Sequence, residues 1–266
     1  MSATPSAIDC EYTVEGRGPP LFLVHGIGAA RDAWRFVLPE LSRHFTVIMH
    51  DLRGHGASPV PDGPFGLDEL VADLERVRER TGFETGHFAG HSLGGMIGPA
   101  YARRFPKRVR SLGLLSTAAG RTDADRAAVG AVIAAMEEKG IGPVLETLTR
   151  RWFTDRFIAE NPAVVDRRLR QVTDTNAAVF MSVFRIYAET EMLPWLPRVT
   201  APSLVMTGEH DGGCSPRLNA RITDALPDAR LVILPGVKHA ILIEAPNRVS
   251  AEMIRFHGSA DSVFAR

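Results

Sequence analysis

Short apolar runs recur along the chain and alternate with stretches of helical periodicity. Continuous apolar runs are typical of strands buried on both faces of a parallel sheet. The stretch 67–82 shows the helical pattern, with an apolar stripe that stops at Gly82. We therefore predict βαβ units around a mostly parallel sheet. The predicted buried strands fall at 20–26, 45–51, 86–92, 110–116, 202–208 and 229–236.

The ends of the pattern differ from its middle. Residues 8–18 alternate polar and apolar side chains, which predicts an antiparallel edge hairpin strand. From about residue 121 to 193 only helical patterns occur, and prolines then precede the next strand. We expect residues 1–120 and 194–266 to form one α/β core domain, with 121–193 inserted as a helical cap.

The composition narrows the class of partner. The 266 residues suit one large domain or one domain with an insertion. Lys plus Arg and Asp plus Glu number 31 each, so nothing favours nucleic acid or an anionic membrane. Two cysteines without a CxxC pair argue against a disulfide framework or a cysteine zinc site. With neither a signal peptide nor a run of about 20 apolar residues, a cytoplasmic protein acting on a small molecule is expected, its oligomeric state unknown.

The stretch GHSLGG places Ser92 between Gly90 and Gly94, where a strand pattern changes to a helical one. A sharp strand-to-helix turn strains its central residue, and glycine two positions away on each side avoids collisions. This predicts a serine raised at the start of a helix, as a nucleophile. The alternative is a tight turn with an incidental serine.

A serine needs a base, and the base needs an orienting acid. His239 follows the last predicted strand, at the sheet edge where reacting groups gather. Asp211 follows another buried strand, and Glu209 is its rival. A turn-forming role for Asp211 is the alternative. The other eight histidines are expected to be structural or solvated, with His91 pointing away from Ser92.

The stretch HGIG after the first buried strand gives the backbone room to turn. We predict that the backbone N–H groups of Ile27 and Leu93 form an oxyanion hole. A plain glycine turn is the alternative for HGIG.

Together LVHGIG, DLRGHGAS, GHSLGG, MTGEHDGGCSP and GVKHAILIEAP resemble the α/β-hydrolase superfamily over nearly the whole chain. The order Ser92, Asp211, His239 is the one that superfamily uses. The resemblance implies an α/β-hydrolase fold with a mostly parallel eight-stranded sheet flanked by helices. It also implies a cap inserted after strand six, and a tight turn at DLRGHGAS after strand four.

The stretches GGMIGPAYARRFPKRVRSLGLLSTAAGR and RWFTDRFIAENPAVV look like those of 3-oxoadipate enol-lactonases of aromatic-compound degradation. This resemblance implies a serine hydrolase that opens a small ester or lactone through an acyl-enzyme, without metal or other cofactor. Serine at position 92 argues against epoxide hydrolases and haloalkane dehalogenases, which carry aspartate there. The alternatives are a carbon–carbon bond hydrolase acting on a meta-ring-fission product and a slow-turnover ligand-binding protein on the same fold.

The cap supplies candidate substrate contacts. Aromatic and sulfur side chains at helical spacing are candidate pocket walls, although such residues also build cap cores. A substrate carboxylate would need a cation, for which Arg150, Arg151 and Arg185 are available unless they are only solvated. The substrate-binding set is Trp152, Met181, Phe184, Tyr187 and Arg151.

Overall fold

The structure, a computed structural model, describes residues 5–264 and is built on a central sheet. The strands lie in the order β1-β3-β2-β4-β5-β6-β7, and β1 alone runs antiparallel to its neighbour among these described strands. The six predicted strands are confirmed within a residue or two, but the last of them lies at the sheet edge with only Leu234 buried, so the expectation of burial is wrong for it. The strands are β1 Tyr12–Gly16, β2 Pro20–Val24, β3 Thr46–His50, β4 Gly86–His91, β5 Val109–Leu115, β6 Ser203–Gly208 and β7 Ala229–Leu234.

Helices cover both faces of the sheet and complete two apolar layers. Helix α2 buries the predicted stripe, including Leu70 and Leu74, and ends at Gly82 with φ +76°. Helices α3 and α9 pack in the same layer as α2, whereas α1, α10 and α11 cover the opposite face. The helices outside the β5–β6 connection are α1 Leu38–Leu41, α2 Leu67–Thr81, α3 Gly94–Arg104, α9 Pro216–Ala225, α10 Ile241–Glu244 and α11 Pro246–Phe264.

Five helices occupy the connection between β5 and β6, and we call them the inserted helices. They share a core with the sheet layer, because Val132 and Phe180 belong to the same cluster as Phe22 and Phe88. The division at residues 121 and 193 stays a prediction. The inserted helices are α4 Asp123–Lys139, α5 Ile141–Trp152, α6 Asp155–Glu160, α7 Pro162–Asp174 and α8 Ala177–Glu189.

The expectation of eight strands is wrong for residues 5–264, which contain seven. The segment before Tyr12 forms no strand because side chains bind its backbone: the Ile8 N–H donates to Asp73, and Arg80 donates to the Cys10 carbonyl. The inserted helices therefore follow the fifth strand and the DLRGHGAS turn follows the third. Strand β1 is an antiparallel edge strand as predicted, but its partner is β3 and not the next strand in the chain.

Strand register brings distant loops to one edge. Val24 pairs with both His50 and Gly90, so the segments after β2, β3 and β4 leave the sheet side by side. No helix among the described residues is long and apolar enough to cross a bilayer. Cys10 and Cys214 are both free and buried.

Candidate active site

Ser92 lies at the sharp turn between β4 and α3. Its φ of 57° is in the left-handed region, which side chains other than glycine rarely adopt. A Cβ on Gly90 would lie 2.0 Å from the Gly94 carbonyl oxygen, and a Cβ on Gly94 would lie 2.1 Å from the Val24 carbonyl oxygen. The turn therefore needs glycine at both positions, for the steric reason that the sequence suggested.

Asp211 and His239 meet at the same edge, after β6 and β7. The Asp211 Oδ2 atom lies 2.8 Å from His239 Nδ1. Asp211 Oδ1 accepts hydrogen bonds from the backbone N–H groups of Cys214 at 2.8 Å and Gly213 at 3.0 Å. Glu209 lies elsewhere, half-exposed, and accepts a hydrogen bond from the Gly236 N–H. The loop thus brings Asp211, and not its rival, to the imidazole.

The electrostatics of this pair follow from burial and mutual attraction. Burial favours a neutral Asp211, but the His239 charge and the hydrogen bonds from His239 and two amides hold the pKa of the carboxyl below its usual value. Burial disfavours a charged His239, yet the Asp211 carboxylate raises the pKa of the imidazole well above its usual value. The pair therefore stabilises an imidazolium, the species that forms when a histidine takes a proton.

One cavity joins the three residues. Ser92, Asp211 and His239 all line a space that residues of α5, α7 and α8 cover from above. Because Nδ1 of His239 is bound to Asp211, Nε2 is the ring nitrogen left for the serine hydroxyl.

The loop after β2 packs directly against the serine turn. A Cβ on Gly26 would lie 2.9 Å from Ser92 Cβ. Among the hydrogen bonds of residues 5–264, none has the backbone N–H of Ile27 or Leu93 as its donor. The two predicted oxyanion-hole N–H groups therefore have no acceptor within residues 5–264. They lie where the loop after β2 contacts the serine turn.

Two neutral imidazoles hold this loop. His25 donates from Nδ1 to the Gly26 carbonyl at 2.8 Å and accepts at Nε2 from the Leu52 N–H at 2.9 Å. His55 accepts at Nε2 from the Gly28 N–H at 3.2 Å. Burial lowers the pKa of His25 well below its usual value and that of His55 to about 4. Each ring can therefore accept a hydrogen bond at neutral pH, which a protonated ring could not.

The family follows from sequence comparison. A family model described as alpha/beta hydrolase fold matches residues 19–246. The chain belongs to the α/β-hydrolase fold family. The hydrolase is 28% identical over 260 residues to 3-oxoadipate enol-lactonase 2 of Acinetobacter baylyi, covering 96% of each chain. It is 41% identical over 104 residues, 38% of each chain, to the 2-hydroxy-6-oxo-2,4-heptadienoate hydrolase of Pseudomonas putida.

Solved structures agree with this assignment. The enol-lactonase from Burkholderia xenovorans LB400 matches the hydrolase with a TM-score of 0.86 at 25% identity, covering 93% of this chain and 95% of that one. The predicted fold family and the resemblance to enol-lactonases are confirmed, and the protein is an α/β-hydrolase enzyme.

Four of the five candidate substrate contacts of the hydrolase line the cavity: Trp152, Phe184, Tyr187 and Arg151. Met181 does not. It lies one helical turn before Phe184 on α8, which carries it past the cavity and against the main core. Of the other candidate cations, Arg150 pairs with Glu146 and Arg185 pairs with Glu137 at the surface.

Several cavity residues of the hydrolase were missed from the sequence, among them His91, Cys214 and Arg168. His91 does not point away from Ser92, because its Nε2 donates to the His239 carbonyl at 3.0 Å and its ring packs on that of His239. Cys214 lies beside the same ring, and Arg168 reaches in from α7. Nothing local marks any of the three, since each contact joins segments far apart in the sequence.

The donor set of the hydrolase also permits a test for metal binding. Among the described residues, ligand atoms of Asp211, Cys214 and His239 lie within 4.8 Å of one another. Two ligands of a tetrahedral zinc ion are about 3.3 Å apart. The 2.8 Å between Asp211 Oδ2 and His239 Nδ1 is a hydrogen-bond distance, so this arrangement fits a proton-bound pair better than two ligands of one ion.

Proposed function

We propose that the protein is a serine hydrolase that cleaves a small carboxylic ester or lactone, of the enol-lactone type, through an acyl-enzyme on Ser92. The observation that carries the proposal is the Asp211–His239 pair opening onto the cavity that Ser92 lines. The relative named 3-oxoadipate enol-lactonase 2 supports the substrate class. Residues 121–193 would cap the cavity, and the enzyme would act in the cytoplasm.

In the proposed mechanism Ser92 Oγ attacks the carbonyl carbon while His239 Nε2 takes the hydroxyl proton. The N–H groups of Ile27 and Leu93 donate hydrogen bonds to the oxyanion. This negative charge develops only after Ser92 attacks and is absent from the bound ester. The tetrahedral intermediate then expels its alkoxide or enolate, and His239 returns the proton to it. Water deprotonated by His239 attacks the acyl carbonyl carbon, the second tetrahedral intermediate expels Ser92 Oγ, and Oγ takes the proton back from His239 as the acid is released.

Replacement of Ser92 by Ala tests the proposal. Hydrolysis of a small p-nitrophenyl ester should fall by roughly 10³-fold or more, because the nucleophile is lost. Mass spectrometry of the wild type stopped during turnover should find the acyl group on the peptide that contains Ser92.

Ser116→Ala is the matched control. Ser116 is also buried with a positive φ at a strand end, but it does not line the cavity. Its removal should leave turnover near the wild-type rate. Equal hydrolysis by wild type and Ser92→Ala would remove Ser92 from the mechanism and contradict the proposal. Absence of hydrolysis above background in both proteins would leave a ligand-binding role.

A carbon–carbon bond hydrolase is the second candidate, favoured by the 41% identity to the heptadienoate hydrolase. The two functions share the same side chains and differ in the bond that is broken. A panel of enol-lactones, simple esters and meta-ring-fission products separates them, since the larger kcat/KM identifies the class.

A further inference from the structure

His91 lies directly before Ser92, at the end of β4. Its backbone belongs to the sheet, where it pairs with Leu115 of β5, and its side chain lines the cavity. The His91 ring and the Ser92 hydroxyl are therefore carried by the same strand end.

The His91 ring contacts the segment that carries His239, 148 residues away along the chain. Its Nε2 donates to the His239 carbonyl at 3.0 Å, and the centroids of the two imidazole rings are 4.9 Å apart. Its Nδ1 lies near the loop after β2, since a Cβ on Gly26 would be 3.5 Å from it. The ring thus lies between that loop and the proposed base.

The hydrogen bond fixes which nitrogen of His91 carries a proton. A carbonyl oxygen only accepts, so the proton is on Nε2. Burial lowers the pKa of His91 to about 3, so the ring is neutral at neutral pH. A neutral ring can pack on His239 without opposing the positive charge that His239 takes up in the proposed reaction.

The other contacts of His239 lead away from the serine. Its Nδ1 is bound to Asp211, and the N–H of the next residue donates to the Trp152 carbonyl of the inserted helices. Among the hydrogen bonds of residues 5–264, the one from His91 ties this segment to the strand end that carries Ser92. The relative position of base and nucleophile therefore depends on this bond.

We propose that His91 is a positioning residue, which sets the distance between the Ser92 hydroxyl and His239 Nε2 through its hydrogen bond to the His239 carbonyl. The proposal rests on the hydrolase function above and adds the group that brings its nucleophile and base together. Proton transfer requires the two within hydrogen-bond reach, and a displacement of about 1 Å can reduce the rate about 100-fold.

Three variants separate the hydrogen bond from the bulk of the ring. His91→Gln places an amide N–H near the position of Nε2, the amide of His91→Asn is one methylene shorter, and His91→Leu has no donor. On a small p-nitrophenyl ester, kcat should fall roughly 10- to 100-fold in His91→Leu and His91→Asn, with KM changed less than about twofold. His91→Gln should keep at least about a third of the wild-type kcat, because its amide restores the donor.

His50→Leu is the matched control. His50 is also a buried histidine at the end of a strand, but it does not line the cavity, and both its ring nitrogens lack a partner in the described chain. Its kcat should stay near the wild-type value. A wild-type kcat in His91→Leu and His91→Asn would overturn the proposal. Equal losses in all three His91 variants would also overturn it, because they would assign the effect to the shape of the ring.

Amide hydrogen exchange separates the proposal from the hydrolase function. If the wild type hydrolyses no ester, the proposed function fails, and exchange of the Ala240 and Ile241 amides then tests whether His91 holds this segment. Exchange at least tenfold faster in His91→Asn, but not in His91→Gln, supports that role, and equal exchange in both overturns it. If circular dichroism shows His91→Leu to be unfolded, the comparison of His91→Asn with His91→Gln decides the kinetic test as well.

Discussion

Asp211 is the residue on which the polar contacts of the site converge. Its two oxygens accept three hydrogen bonds, from His239 and the amides of Gly213 and Cys214, while the Thr207 hydroxyl donates to the Cys214 carbonyl beside them. This set holds the carboxylate ionised and fixes its direction, so that one oxygen always faces the imidazole. In the proposed mechanism, an ionised acid in that position stabilises the positive charge that His239 would acquire when it takes the Ser92 proton.

Replacement of Asp211 by Asn should reduce kcat by roughly 10³–10⁴-fold, because the amide cannot stabilise the imidazolium. Turnover of an activated ester measures the effect, and circular dichroism checks that the fold is kept. Glu209→Gln is the control and should retain near wild-type turnover, since Glu209 contacts the Gly236 amide and not the imidazole. A larger loss in Glu209→Gln would show that the acid has been assigned to the wrong residue.

The pH dependence of kcat in Asp211→Asn reports on the interaction between Asp211 and His239. His239 acts as a base when neutral, so kcat should rise as pH increases through its pKa, which Asp211 raises above the ordinary value. Removing the Asp211 charge lowers that pKa, and the acid limb of kcat should move to lower pH. An acid limb that stays in place in Asp211→Asn would mean that another group titrates.

Sequence patterns predicted the cavity residues that lie in local motifs. They did not predict those that reach the cavity from distant parts of the chain. Ser92 could be predicted to lie at the site because two glycines mark its turn, and His239 because it follows the last predicted strand. Arg168 lies 140 residues from the Gly28 carbonyl to which it donates. Several arginines share its helix, and only the packing of α7 on the Ile27 loop distinguishes it from them.

At the scale of elements, periodicity predicted the buried strands and most helices because burial on two faces or on one stripe leaves a clear pattern. The segment before β1 carries no such constraint. Its backbone is bound by side chains of α2 and by Arg53, which donates to the Ser6 carbonyl at 2.8 Å. Contacts of that kind depend on tertiary structure, so the alternating pattern was extended too far toward the N-terminus.

The turn between β4 and α3 should tolerate no Cβ at position 90. Gly90→Ala places a methyl group 2.0 Å from a carbonyl oxygen and should prevent folding to a soluble, active enzyme. Gly130→Ala is its control, because Gly130 lies exposed within α4 with nothing within 4 Å of an added Cβ. That change should stabilise by about 0.5–1 kcal/mol through helix propensity.

Thermal unfolding and soluble yield measure both glycine variants. The Gly130→Ala melting temperature should rise by about 1–3 °C. A well-folded Gly90→Ala protein with wild-type activity would show that the turn can relax in a way that its close contacts do not suggest.

At the scale of the whole molecule, burial keeps several histidines uncharged in the folded state. Burial lowers the pKa of His50 and His55 to about 4 and of His91 to about 3. The unfolded chain binds protons at these positions near pH 6.5, whereas the folded chain does not. Stability from these groups is therefore full above about pH 6.5 and falls as the pH drops toward the folded values.

We expect the free energy of unfolding to decrease steeply from about pH 6.5 to about pH 5, by up to about 1.4 kcal/mol per pH unit for each such histidine. His50→Leu should flatten the slope by that amount, since both His50 ring nitrogens are buried without a hydrogen-bond partner in the described chain. Urea unfolding at several pH values measures this. Identical slopes in both proteins would show that His50 is protonated in the folded state.

The segment 238–244, which carries His239, is hydrogen-bonded to the inserted helices. The Ala240 N–H donates to the Trp152 carbonyl at 2.9 Å, and Thr154 donates through its N–H and its hydroxyl to Glu244. If the inserted helices were exchanged for those of a relative without Thr154, the hydrogen bonds that Thr154 donates to Glu244 would be lost and the segment that holds His239 would be less well fixed. The position of His239 and the shape of the cavity are therefore coupled, and an exchange of the inserted helices should include residues 238–244.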